Sequence, residues 1–323
     1  MDLIDSMGLG SNLVTHIKQT FYQLSKEPME SKRMSFLESC LEKDSILCIL
    51  QGITNLPENT IKQGLTISGA GMIKIKIYES PYGSLRFHIF NTLNRKLFGN
   101  MDFDENPHVH AFQGFSHVLL GTIVERIYSV HNLSNSESIL YHNFLHYVQS
   151  CSKTTQQHII QVLHNKGYQG NYFINNNMPL LFRKHLDQLK TYYTFFDSIK
   201  KKDPQGNLVE YFFEQGVGKM ILTNTRTIKQ SESYNLYAEN AHVIDNQNHK
   251  GATLFLTDET YQTCQFPKSK NIVLRGHGQH LPWRQPQAIL RSFGDGFTDY
   301  NIGDSIKQTS LECFNNIVKT SKV

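Results

Sequence analysis

The stretch NPHVHAFQGFSHVLLGTIVERIYSV, residues 106–130, decides how the chain reads. Asn106-Pro107 brings the backbone in extended, because a proline disfavours helix at the residue before it. His108 and His110 then stand two apart, which in a strand puts both on one face. HVLLG and TIVERIYSV, on either side of Gly121, look like a strand pair hinged at that glycine. A chain with 15 His holds one H-x-H pair by chance about as often as not. The pair takes meaning only from what surrounds it.

Upstream, MIKIKIYE at 72–79 alternates strictly, with Ile73, Ile75 and Ile77 facing one way and Lys74, Lys76 and Tyr78 the other. A turn at Ser80-Pro81-Tyr82-Gly83 leads into a second strand, SLRFHIFNT. Residues 11–50 carry helical spacing instead, clearest in Leu13, Ile17, Phe21 and Leu24. Downstream, QQHIIQVLHNKG and LLFRKHLDQLKTYYTFFDSIKKK read as helical, joined by the turn-rich GNYFINNNMP. Strands resume with LVEYFFE, KMILTNTRTI, ESYNLYAENAHVID and GATLFLTDE. The stretch from SKNIVLRGHGQHLPWRQPQ onward has no clear period, and residues 305–320 close as a helix. The expected class is mainly β, a barrel or sandwich with N-terminal helices and a helical insertion. The expected divisions are 1–60 (helical), 61–131 (first half of the barrel), 132–206 (helical insertion) and 207–323 (second half and C-terminal extension).

Composition narrows the function. With 323 residues, 39% hydrophobic and 19% charged, 20 Phe and 15 Tyr, the chain can build a large aromatic core. A net charge of +4 with no dense Lys/Arg block argues against nucleic acid or a membrane surface as partner. Lys200-Lys201-Lys202 reads as the end of a helix, where cations suit the dipole. Cys40, Cys48, Cys151, Cys264 and Cys313 are odd in number and widely spaced, which fits a reducing cytoplasm. The N-terminal residues show no basic stretch leading into an apolar core, so no secretory signal is expected there. No apolar run nears the ~18 residues of a membrane helix.

A third imidazole is sought on another strand, and His242, at the start of a short strand ahead of GATLFL, fits that place. The pattern resembles the cupins: His108-x-His110, three residues, Gly114, six residues, Gly121, with glycine where most members carry glutamate. Among cupins it looks like the three-His thiol dioxygenases of the cysteine and 3-mercaptopropionate type, some bacterial members of which have that glycine. NAHVIDN looks similar to their third-histidine segment. The resemblance covers about residues 70–130 and 205–260. It implies a jelly-roll barrel in which His108, His110 and His242 hold Fe(II), with a small thiol or other chelating anion and dioxygen as substrates. Three neutral imidazoles leave the ion its full charge, which favours an anionic ligand such as a thiolate. The chain departs from the family in three places, one of them the helical insertion at 132–206, which the compact family fold lacks. Thr253-x-Phe255-x-Thr257 stands where those enzymes have Ser-x-His-x-Tyr, and Ile75 or Lys76 falls where they have an arginine for the substrate carboxylate.

Cations for such a carboxylate would come from Lys74, Lys76, Arg86 or Arg226, and Tyr234 and Tyr237 lie near enough to His242 in sequence to donate to a bound oxygen. His117, His131, His142, His146, His277 and His280 form no third-ligand pattern. Two other classes fit the same residues: a non-catalytic cupin holding a small ligand or docking a protein through the insertion, and a metal cupin performing isomerisation or hydrolysis.

Overall fold

The computed structural model describes residues 2–67, 72–90, 108–109, 112–152, 154–156, 158–159, 178–202, 208–237, 241–245, 251–260, 271–275 and 302–320. Four helices open the chain after a 3-10 turn at Leu3–Ser6: α1 (Ser11–Leu24), α2 (Glu30–Ser39), α3 (Lys43–Asn55) and α4 (Glu58–Gly64). They form because their apolar residues recur at three and four positions. Ile17, Phe21 and Leu24 line one stripe of α1, and Ile46, Ile49, Leu50 and Ile53 one stripe of α3, all buried. The closing helix α8 (Ile302–Thr320) is amphipathic in the same way and returns to α3, where Ser310 Oγ donates to the Leu50 carbonyl at 2.9 Å.

Two antiparallel sheets follow. The first contains β1 (Leu65–Ile67), β2 (Ile73–Ser80), β3 (Gly83–Phe90), β11 (Gly251–Asp258), β5 (Gln113–Leu120) and β9 (Ser233–Leu236), adjacent in that order. The second is a closed barrel with the order β10 (Ala241–Asp245), β4 (His108–Val109), β12 (Asn271–Arg275), β7 (Tyr192–Lys202), β8 (Leu208–Lys229), β6 (Thr122–Asn132), and β6 pairs back onto β10. The expected alternation in β2 holds as far as Lys76, with Ile73 and Ile75 buried and Lys74 and Lys76 less so; a bulge then turns Tyr78, expected on the lysine face, into the core against Phe21. Together with Leu85, Phe87 and Ile89 of β3 and Leu254 and Leu256 of β11 these buried residues form one core with the helices. Each such side chain contributes about 1.5–3 kcal/mol by leaving water.

The helical layer is riveted to this sheet by Arg33 of α2. Its guanidinium meets Asp258 at the end of β11, Nε to Oδ2 at 2.7 Å and Nη2 to Oδ1 at 2.5 Å. Nη1 donates to the Leu24 and Glu27 carbonyls, both at 2.7 Å. With this layer the chain is a mixed α and β structure on antiparallel sheets, not the mainly β chain that the strand patterns imply. Those patterns report the sheets and understate five helices that pack on one face.

Several other expectations change. HVLLG and TIVERIYSV do not pair as a hairpin: β5 belongs to the first sheet and β6 to the second. Gly121, at φ 78°, turns the chain from one to the other in a conformation that a side chain disfavours. ESYNLYAENAHVID likewise divides into β9 and β10 in different sheets. LVEYFFE and KMILTNTRTI are one strand, β8, because the apparent turn at Gln215-Gly216 is a bulge: Phe195 and Phe196 face Gly216 and Glu214, and Gln215 is the extra residue. The segment read as helical to Lys202 is helical only at α6 (Leu180–Lys184) and α7 (Leu186–Leu189), then becomes β7. Tyr192, Tyr193, Thr194, Phe195, Phe196 and Ile199 are aromatic or β-branched, and pairing along β8 and β12 outweighs a loose helical spacing. Lys200-Lys201-Lys202 therefore ends a strand, not a helix. The aperiodic tail holds β12, a strand the sequence does not announce. In 132–206 the one long described helix, α5 (Asn135–Ser150), starts with a capping box between Ser134 and Glu137.

Candidate functional site

The ladders determine which residues face the space between the sheets. In the first sheet, Leu85, Phe87 and Ile89 turn to the helices, so Arg86, His88 and Phe90 turn the other way. In the second, Ile123, Ile228 and Ile244 join Phe90, Val118 and Tyr234 of the first sheet in a small shared core. Glu125 lies two residues from Ile123, Arg226 two from Ile228 and His242 two from Ile244, so these three polar residues share that inward face.

They are chemically connected. Glu125 stands directly across from Arg226 in register. One carboxylate oxygen pairs with Arg226 Nε, and the other accepts from His242 Nδ1 at 2.8 Å. His242 and Glu125 are each about 2% exposed. Burial alone would raise the Glu125 pKa, but its hydrogen bonds with His242 and Arg226 and the charge of Arg226 hold it below the ordinary carboxylate value. An imidazole that gives its Nδ1 proton to a carboxylate keeps its lone pair on Nε2, the arrangement in which histidines bind metals. Arg226 is anchored further by Nη2 donating to the Asn235 carbonyl at 2.6 Å and by its guanidinium lying 5.0 Å from the Tyr234 ring.

His108 is paired with His242 across the β4–β10 ladder. Directly opposed positions in antiparallel strands share a sheet face. His110, the other half of the pair in the opening stretch, lies outside the described residues. Among the described residues no group of three or more His, Cys, Asp or Glu is gathered so as to hold a metal ion.

The remaining expected site residues separate cleanly. Tyr234 is buried inward beneath Arg226. Tyr237, 42% exposed, stands just past the end of β9 and is not brought to His242. Lys76 is solvated and bound to Glu79 at 2.6 Å. Arg86 faces inward; it lies 3.7 Å from Glu259 and 6.0 Å from the Phe112 ring, and burial lowers its pKa. Arg226 is engaged by Glu125 and Asn235, so it positions the carboxylate and is not a free cation for a substrate. His117 turns away from the interior and pairs with Ser233 Oγ at 2.8 Å. His131 and His142 are satisfied near the surface by Ser129 Oγ and the Ser138 carbonyl. His277 and His280 lie outside the described residues.

At Gly114, which the resemblance aligns with the cupin glutamate, the structure gives a reason for a small residue. A Cβ would stand 2.7 Å from the Phe255 ring. The sequence reading named Thr253 only as a departure from the family motif and gave no site role to Glu125, His88 or Ser116. The signal was the alternation in SLRFHIF, which sets polar Arg86 and His88 against Leu85, Phe87 and Ile89.

No protein-family model matches the chain, and a search of curated proteins returns no relative. Among the described residues no helix is long and apolar enough to cross a membrane.

Proposed function

We propose that the chain is a metal-dependent jelly-roll oxygenase of the cupin kind, in which His108, His110 and His242 hold Fe(II). Its substrate would be a small thiol or another chelating anion, and dioxygen its co-substrate. The strand order supports the fold half of this reading. Setting aside β1, β2, β7 and β12, one sheet runs β3-β11-β5-β9 and the other β4-β10-β6-β8. That is the order of two interleaved Greek keys, the pattern of a jelly roll. The observation that carries the functional half is the His108–His242 register together with the Glu125 hydrogen bond to His242 Nδ1.

The residues fit such an ion in their donor chemistry: imidazole nitrogens, one of them fixed in its tautomer by a buried carboxylate. When bound, the ion would supply a Lewis acid that lowers the pKa of a thiol ligand. The chain's own residues do the rest. Glu125 keeps the Nδ1 proton of His242, Arg226 balances the buried negative charge, and Phe90, Val118, Ile123 and Ile228 keep water from the space beside them.

The test is elemental analysis of the purified chain, then oxygen uptake with small thiols after anaerobic Fe(II) loading. One equivalent of bound metal, with uptake abolished in His242→Ala and His108→Ala, is the expected result. Bound metal with no uptake from any thiol or small acid would move the reading to isomerisation or hydrolysis. No metal affinity in a folded chain would leave only a non-catalytic binding protein.

A further inference from the structure

The helix α5 carries a histidine pair that the barrel does not use. Tyr141, Phe144 and Val148, spaced by three and four, are buried with Phe182, Leu189 and Tyr192 in a second apolar core. That packing, with the capping box at Ser134 and Glu137, fixes the helix and turns its other face outward. His142 and His146 stand on the outward face, both exposed and one turn apart. Side chains four apart on a helix are neighbours, with Cβ atoms about 5–6 Å apart. Each leans toward the helix N-terminus, so the His146 ring leans over the turn that carries His142. A solvated helix face more often has glutamate and lysine at this spacing, and both are better helix formers than histidine. α5 has neither lysine nor arginine, and its one acidic residue, Glu137, is engaged at its start by Ser134 and Lys219.

We propose that His142 and His146 form a two-imidazole clamp for a late divalent transition-metal ion such as Zn(II), Ni(II) or Cu(II), with water in the remaining positions. A hydrogen bond singles the pair out. His142 Nδ1 lies 2.7 Å from the Ser138 carbonyl oxygen. A carbonyl can only accept, so Nδ1 carries the proton and Nε2 keeps the lone pair. A backbone carbonyl on the other ring nitrogen is a usual partner of a metal-binding histidine. Imidazole suits these ions, whereas Ca(II) and Mg(II) take oxygen ligands that the pair does not offer. No cationic side chain on α5 repels the ion. The helix is already packed, so binding does not have to order its backbone. Two imidazoles on one rigid helix hold an ion about 100-fold more tightly than either alone, because the second ligation is intramolecular. His108, His110 and His242 take no part, so the proposal stands without the barrel reading.

The experiment titrates Ni(II) into the full chain, stripped beforehand by a chelator, and follows the imidazole resonances that disappear in His142→Asn and in His146→Asn. The paramagnetic ion broadens the ring it binds. Both rings should broaden together, at about 100-fold less Ni(II) than His16, an exposed lone histidine on α1, requires. Each single variant should keep the parent's unfolding temperature without metal and raise the Ni(II) needed at the remaining ring about 100-fold. Adding Ile139→His to His142→Asn keeps two histidines on this face but seven residues apart, about 10 Å along the axis, and should not restore binding. Broadening no earlier than that of His16, broadening unchanged at the remaining ring of either single variant, or recovery in the Ile139→His double variant would each overturn the proposal and leave the pair as a solvated helix face.

Discussion

Two buried carboxylates, Asp258 and Glu125, serve opposite ends of the same architecture. Asp258 sits on the helix-covered face of the first sheet with an arginine fork closed on it. The Thr260 backbone N–H and hydroxyl also donate to it, at 3.0 and 2.7 Å, and Arg33 spends its remaining donors on backbone carbonyls and Thr260 Oγ1. Every strong donor there is used within the fold. Glu125 divides itself: one oxygen takes an arginine, the other an imidazole. The first arrangement joins two layers of structure. The second fixes the proton on Nδ1 of a ring that the proposed metal site would use. A buried arginine–carboxylate pair is therefore not informative by kind; what the second oxygen does distinguishes mortar from machinery.

The largest effect is expected at the mortar. Asp258→Ala leaves the Arg33 charge buried without its partner and should cost about 3–5 kcal/mol, read as a lowered urea midpoint. Arg33→Met combined with Asp258→Leu should recover most of that loss, because two apolar residues leave no uncompensated charge. A single-variant loss below about 1 kcal/mol would show that water replaces the pair and that the helical layer is held by apolar contact alone.

What could be read beforehand follows from which physical signal is local. The period of two in MIKIK and of 3.6 in Ile17-Phe21-Leu24 are properties of short segments, and both survive in the structure. The strand β7 was misread because TYYTFFDSIKKK has a spacing compatible with either period, and only its ladder with β8 decides. The sheet change at Gly121 is equally non-local: nothing in HVLLGTIVE tells a hairpin from a crossing between sheets. At the site, His242 could be nominated from its flanking strand, but its link to Glu125 spans 117 positions and appears only when β6 and β10 pair. His88 lay in plain view beside Arg86. That its Nε2 has no partner among the described residues is a fact of burial, which no alternation pattern contains.

A smaller effect separates the two carboxylates by function. Glu125→Gln keeps the side-chain shape but gives up the charge that faces Arg226, whose side chain is 28% exposed and can be reached by water. The expected stability loss is about 1–3 kcal/mol, below that at Asp258. Metal affinity, measured by competition with a coloured chelator, should fall about 10–100-fold, as when the partner of a metal-binding histidine is removed. Asp258→Asn should leave metal affinity within a factor of two if its fold is intact. Equal effects of the two variants on affinity would erase the distinction drawn between them.

Acid pH gives the finest separation. The Glu125 carboxyl is held below its usual value in the fold, so its stabilising contribution is complete above the unfolded-state pKa of about 4.3 and drains away as pH falls through the folded value. Glu137, at the start of α5, behaves with the same sign for a different reason. The Ser134 backbone N–H and hydroxyl, then Lys219, bring its carboxyl down to about 2. Unfolding temperature followed from pH 6 to pH 2 should therefore fall for the parent chain, and fall less steeply in Glu125→Gln and in Glu137→Gln. The two substitutions should add, because Glu137 pairs with Lys219 while Glu125 pairs with Arg226 and His242, so the two carboxylates share none of these partners. On the proposed metal reading, only Glu125→Gln should also change the pH at which added metal is released, since protonating Glu125 weakens the acceptor that orients His242. A metal-release midpoint unmoved by Glu125→Gln, alongside a flattened stability profile, would mean that this carboxylate stabilises the barrel as Asp258 stabilises the helical layer and does nothing more.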